Sequence, residues 1–290
     1  MEPEQTEQSR RVGPDGAKVP FRGGSSTRLG FHVEHRPVTR VISVVNQKGG
    51  VGKTTTAVSL ATGLALADRS TVLVDLDPQG NATTGFGIDK TNLYPTIYHV
   101  LLGNEPANKA LSDTILPNLK ILPSDIDLVG AEIELVALDQ REHRLRMALE
   151  PISGPNTYVI IDCPPSLGLL TINALAAADE VLVPLQCEFY ALEGLTHLLR
   201  TIKLVRERLN PRLKVGGIVL TMFDGRTSVA LQIRDEVQRY FPGQIFETII
   251  PRNVRLTEAP SHGKPVMLYD LRSSGSVAYL ELTREVLQNE

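Results

Sequence analysis

The sequence predicts a single α/β domain, a doubly wound and mostly parallel sheet flanked by helices. Three observations carry this reading. From residue 40 onward, strand-length apolar runs alternate with helix-length segments. The runs are near-continuous Val, Ile and Leu, the pattern of strands covered on both faces. Several of them end in Asp or lead into Gly and Pro, at the strand ends where sheets of this kind bind ligands.

Taken in order, residues 1–37 are rich in Gly, Ser, Pro, Arg and Glu with no sustained apolar period, and are expected to form a flexible tail. Its Arg10, Arg11, Arg22 and Arg28 leave two uses open, contact with DNA or a partner, or no specific role. The domain proper is expected over 38–290. Strand-like runs cover 41–46, 71–75, 119–122, 158–162, 181–185, 215–221 and 245–250. Helical patterns fill 52–67, 125–138, 141–150, 168–177, 191–208, 228–240 and 276–288.

The chain has 290 residues, 42% hydrophobic and 22% charged, enough for one α/β domain of about 250 residues. A net charge of −3 excludes a uniformly basic nucleic-acid binder, so any such surface must be a local patch. The two cysteines, Cys163 and Cys187, end apolar runs and are expected to be buried free thiols. There is no C-x-x-C pair to clamp zinc or a cluster. No apolar run approaches the roughly 18–20 residues of a membrane span, and the N-terminus lacks the apolar core of a secretory signal. A cytoplasmic protein is expected.

The chemistry is concentrated at three strand ends. After the run 41–46 comes Lys48-Gly49-Gly50-Val51-Gly52-Lys53-Thr54-Thr55, a glycine-rich turn opening a helix. Backbone N–H groups converge on phosphate in such a turn, and the helix dipole favours negative charge there. Lys53 can reach terminal phosphates and the Thr54 hydroxyl can ligate Mg²⁺. Gln47 stands where the common phosphate-loop pattern has Gly, and a second lysine, Lys48, precedes the glycines. The run 71–75 ends in Asp75, followed by Asp77-Pro78-Gln79-Gly80, and the run 158–162 ends in Asp162. Any one of these aspartates alone could simply form a turn or cap a helix. Beside Lys53 and Thr54, Asp162 has the form of a carboxylate supporting the Mg²⁺ shell, Asp75 is expected to support that shell or the lysine, and Asp77 is the candidate for orienting an attacking water.

These segments resemble the deviant Walker A box and second nucleotide motif of the ParA/MinD ATPase superfamily, a P-loop NTPase group. The runs Asp162–Gly168, Glu188–Leu195 and Pro251–Pro265 are similar to its chromosomal ParA (Soj) branch, and the resemblance covers residues 40–288. It implies ATP and Mg²⁺ as cofactors and a slow, partner-stimulated ATPase. Lys53 would hold the β- and γ-phosphates, Thr54 the metal, and Thr55 the α-phosphate. Lys48 would cross a nucleotide-sandwich homodimer to the other subunit's phosphates, having no evident task within one subunit. Asp77 would serve hydrolysis, and Pro251 and Asn253 would flank the adenine. Arg226 and Arg255 match arginines of non-specific DNA binding. Lys203, with Arg200 and Arg206 on one helix side, and Lys214 could extend them into a basic patch, although such residues are also ordinary solvated charges. The implied partners are DNA, a ParB-like centromere-binding protein and a second copy of the chain, with localisation at the nucleoid.

Two relatives within that superfamily fit less well. A membrane-bound ATPase needs a basic amphipathic C-terminal helix, whereas residues 277–290 hold Glu281, Glu285 and Glu290 against Arg284. An electron-transfer ATPase needs paired cysteine ligands for a bridging cluster, and the positions of Cys163 and Cys187 do not resemble that pattern. A nucleotide-gated binding module that barely hydrolyses ATP shades into the first reading.

Overall fold

The computed structural model describes residues 39–289, and the expected tail over 1–37 lies outside them. One eight-stranded sheet runs through the domain in the order β3-β4-β2-β5-β1-β6-β7-β8. Its strands are β1 (Arg40–Val44), β2 (Ser70–Asp75), β3 (Ser112–Asp113), β4 (Leu119–Leu122), β5 (Thr157–Asp162), β6 (Glu180–Gln186), β7 (Lys214–Phe223) and β8 (Ile245–Pro251). Every pairing is parallel except β3 with β4 at the edge.

The helices up to β8 are α1 (Lys53–Leu66), α2 (Asn81–Gly85), α3 (Ile97–Leu102), α4 (Ala107–Ala110), α5 (Leu128–Glu134), α6 (Arg144–Leu149), α7 (Leu169–Ala177), α8 (Ala191–Arg208) and α9 (Ser228–Tyr240). The chain closes with the short α10 (Arg255–Glu258) and α11 (Val266–Tyr269) and the long α12 (Ser274–Gln288).

Strand residues feed two cores in alternation, because successive side chains point to opposite faces. Val41 and Val45 enter one cluster, Ile42 and Val44 the other. Val159 and Ile161 part from Tyr158 and Ile160 in the same way. Helices cover both faces, which is why these strands read as unbroken apolar runs. In α8 the buried residues Ala191, Leu195, Leu198, Ile202 and Val205 follow the helical period, leaving the charged positions outward. Helix α1 is buried along most of its length and packs against α12, where the Thr56 hydroxyl meets the Tyr279 hydroxyl at 3.0 Å.

The strand order places β1 between β5 and β6, with β2 beyond β5. The chain therefore leaves β1 to one side for β2 and later returns to the other side for β6. That reversal opens a crevice at the C-terminal strand ends, where loops from β1, β2, β5 and β7 converge.

Candidate functional site

The phosphate loop spans the turn from β1 into α1. Gly50 and Gly52 sit at φ 75° and φ 87°, left-handed values that turn the backbone into the first helical turn, and Gly52 caps α1. The loop is fixed from below. Asn46 Nδ2 donates to Pro184 O at 2.7 Å and its Oδ1 accepts from Lys48 N at 3.0 Å, while Thr221 Oγ1 donates to Val51 O at 2.8 Å. These bonds tie it to β6 and β7, so its geometry is set before any ligand arrives.

Around the loop lies a cavity of about 590 Å³, within the usual range for small-molecule sites. Gly49, Gly50, Gly52, Lys53, Thr54, Thr55 and Asp77 line it, all expected from sequence. Pro78, Gln79 and Asn81, which follow Asp77, line it as well, and Pro164, Pro165, Val129 and Met222 complete the wall. Met222 lies at φ 49°, uncommon for a side chain of its kind, and no sequence signal marked it. Val129, on α5, was equally invisible in the sequence.

Lys53 is buried, and its ammonium donates to Lys48 O at 3.0 Å. Burial lowers its pKa against the opposing pull of Asp162, Cys163 and Asp77. Asp162 is fully buried, and neither carboxylate oxygen has a hydrogen-bond partner of good geometry. Its pKa is pushed well up by burial and by the neighbouring Asp75, although the nearby Thr54 hydroxyl opposes the rise. An orphaned carboxylate beside a threonine hydroxyl and an open phosphate cradle fits a Mg²⁺ ion, whose remaining ligands are water and phosphate oxygens.

Asp75 differs from its expected role. It pairs in register with Asp162 across β2 and β5, yet its oxygens are already engaged. Oδ2 accepts from Thr83 N at 2.8 Å and from Thr83 Oγ1 at 2.7 Å, and Oδ1 accepts from Asp77 N at 3.3 Å. Burial lifts its pKa to about 6 against these bonds. Asp75 thus fastens the end of β2 to α2 and holds Asp77 in place, one strand away from Asp162. Asp77 reaches the cavity wall, with Oδ1 accepting from Gln79 N at 2.9 Å.

Lys48 has a partner within its own subunit that the sequence did not signal. Its ammonium forms an ion pair with Glu188, in the loop after β6. Pro251 ends β8 beside Phe223, the residue after Met222. Asn253 lies two residues before α10, accepting from Arg255 N at 2.8 Å and donating to Ser274 Oγ at 2.6 Å. Neither Pro251 nor Asn253 reaches the wall of the phosphate cavity. Cys163 is buried as expected, whereas Cys187 is only half-buried.

The basic residues do not form one patch. Arg226 follows β7, with its guanidinium bridging both oxygens of Asp224 at 2.8 and 2.7 Å. Arg255 pairs with Glu258 at 2.7 Å and Asp270 at 3.4 Å. Both lie at the C-terminal strand ends, near the exposed Arg252. Lys214 begins β7, at the opposite end of a strand roughly 30 Å long. Lys203 sits in the C-terminal third of α8, 3.8 Å from Glu207. Strand length alone separates Lys214 from Arg226. Among the described residues, no helix is long and apolar enough to cross a membrane.

Comparison with known proteins adds three matches and a family. A family model described as an AAA domain matches residues 39–215. The chromosome partitioning protein ParA of Myxococcus xanthus is 58% identical over 253 residues, covering 87% of this chain and 89% of that one. The sporulation initiation inhibitor protein Soj of Bacillus subtilis is 52% identical over 250 residues, covering 86% and 99%. A crystal structure named as cobyrinic acid a,c-diamide synthase from Mycobacterium smegmatis, with bound ATP analogue and magnesium, is similar at 40% identity and TM-score 0.77, covering 87% of this chain and 96% of that one.

Proposed function

The chain belongs to the ParA/MinD ATPase superfamily, on its chromosomal ParA (Soj) branch, and is a chromosome-partitioning ATPase that takes ATP with Mg²⁺; from that premise we propose that it works as an ATP-switched dimer on DNA. In this reading the ATP-bound form closes into a sandwich dimer and holds DNA without sequence preference. Hydrolysis, stimulated by a ParB-like partner, releases it. The protein would then spend its bound phase on the nucleoid. The chain is 40% identical to the M. smegmatis structure named as a cobyrinic acid a,c-diamide synthase, against 58% to the M. xanthus partitioning protein, which supports partitioning over amide formation.

The observation that carries the catalytic part is the gathering of Lys53, Thr54, Asp77 and the unpartnered Asp162 at neighbouring strand ends. The loop amides and Lys53 would hold the β- and γ-phosphates, with Thr55 at the α-phosphate. Thr54 and Asp162 would hold Mg²⁺, which when bound neutralises charge on the phosphate oxygens. Asp77 would orient the attacking water, its backbone steadied through Asp75. Pro251 and Asn253 would flank the adenine from the end of β8.

The DNA part is supported by Arg226, Arg252 and Arg255, which stand exposed on the same rim of the sheet as Met222 of the cavity wall. Pairing with Asp224, Glu258 and Asp270 leaves Arg226 and Arg255 on the surface, where exposed ion pairs are weak and exchange readily for phosphate. Lys203 and Lys214 would act from separate places, if at all, as outlying phosphate contacts.

Retention on duplex DNA tests the proposal. At low salt the protein is expected to be retained with ATP and Mg²⁺ but not with ADP, and retention should fall steeply as salt rises. Equal retention with ADP and ATP would overturn it.

A further inference from the structure

We propose that Glu188 is a positioning residue that holds Lys48 within its own subunit until ATP binds, so that it sets the threshold for dimer closure. The inference rests on the sandwich-dimer reading above and names how that same site is regulated.

Two parallel neighbours bring these residues together across 140 positions of sequence. Strand β1 leads into Asn46 and Lys48, β6 leads into Glu188, and the Asn46–Pro184 bond joins the two where they leave the sheet. Glu188 is itself anchored, its N–H donating to Gln186 O at 2.9 Å and its carbonyl accepting from Ala191 N at 2.8 Å. The backbone of Lys48 is fixed from the other side, through Asn46 Oδ1 and through Lys53 Nζ on its carbonyl. The loop is therefore rigid and the Lys48 side chain is its movable part.

The ion pair is half-open to water, with side-chain exposures of 44% for Lys48 and 46% for Glu188. A pair so exposed is worth little, which suits a contact that must break. Phosphate groups carry several negative charges and outcompete one carboxylate for an ammonium, whereas an empty or ADP-bound cradle offers less. Glu188 thus stabilises the single-subunit state by a small amount, and two such contacts break for each dimer formed.

Sedimentation velocity on the full chain, with a non-hydrolysable ATP analogue and Mg²⁺, tests this. Glu188→Gln is expected to lower the dimerisation midpoint roughly three- to tenfold, since two modest ion pairs no longer oppose closure. Glu188→Asp, which keeps the charge, should stay closer to wild type. The nucleotide-free melting temperature of Glu188→Gln should stay close to wild type, because so exposed a pair adds little to the fold, a result that a merely structural role for Glu188 would not produce. If wild type dimerises with the analogue and Glu188→Gln leaves its midpoint unmoved, the proposal is overturned and the dimer reading stands. If wild type stays monomeric at every concentration with the analogue, the dimer reading fails and the proposal falls with it.

Discussion

Asp162 is fully buried with neither oxygen hydrogen-bonded in good geometry, so Lys53 and the Thr54 hydroxyl offset its charge only in part until a metal cation arrives. An unsatisfied buried carboxylate costs on the order of 1–3 kcal/mol. Asp162→Asn is therefore expected to raise the melting temperature of the nucleotide-free protein by about 2–6 °C and to abolish the extra stabilisation that Mg²⁺ adds to ATP. A thermal-melt series with and without Mg²⁺ checks both halves, and a lower melting temperature for the free variant would contradict the account. Lys53→Gln should weaken ATP binding by about ten- to hundredfold, the worth of a charge-assisted bond to phosphate. Asp77→Ala should bind ATP nearly normally and lose turnover, which nucleotide titration and phosphate release separate. Much of this site was legible in sequence because phosphate chemistry dictates a contiguous stretch, Lys48–Thr55. What could not be read were contacts between distant segments. The roles of Glu188 toward Lys48 and of Thr83 toward Asp75 depend on which strands lie side by side.

At the scale of elements, the α1–α12 seam is closely packed. A Cβ added to Gly63 in the middle of α1 would lie 2.2 Å from Thr283 Oγ1, in a buried side chain that also donates to Tyr279 O at 2.8 Å. Gly63→Ala gains about 1 kcal/mol in helix propensity, but the clash must push α12 away. We expect a net loss of about 1–3 kcal/mol by denaturant unfolding, with partial recovery in Gly63→Ala/Thr283→Ala. No loss in the single variant would show the seam to be looser than the packing indicates. The long elements were legible because their period was. Helix α8 spans Ala191–Arg208 and α9 spans Ser228–Tyr240, as the pattern predicts. The two-residue β3 and the short α2, α3, α4, α10 and α11 were not anticipated, since four to six residues hold less than two full turns of periodicity. The pattern over 125–138 ran past the true α5, which gives way at Leu135 to a tighter turn. Exposed Val129 and Ile133 made that segment look more regular than its packing allows.

For the whole molecule, a net charge of −3 means that in the proposed function DNA would have to be held by a local set of cations against overall repulsion. Arg226 and Arg255 lie together at the C-terminal strand ends, whereas Lys214 is at the far end of β7. The reading therefore gives the first two the larger share. Arg226→Ala should cut retention several-fold and shallow its salt dependence by about one unit of slope. Lys214→Ala should do less to both. The central claim is that ATP in this cavity, acting through Lys48 across a dimer, controls the grip on DNA. The most direct test compares DNA retention of Asp77→Ala and Asp77→Ala/Lys48→Ala in ATP and Mg²⁺. The account predicts persistent retention of the first and none of the second, with ATP bound in both. Equal retention of the two variants, or retention of Asp77→Ala in ADP as strong as in ATP, would contradict it.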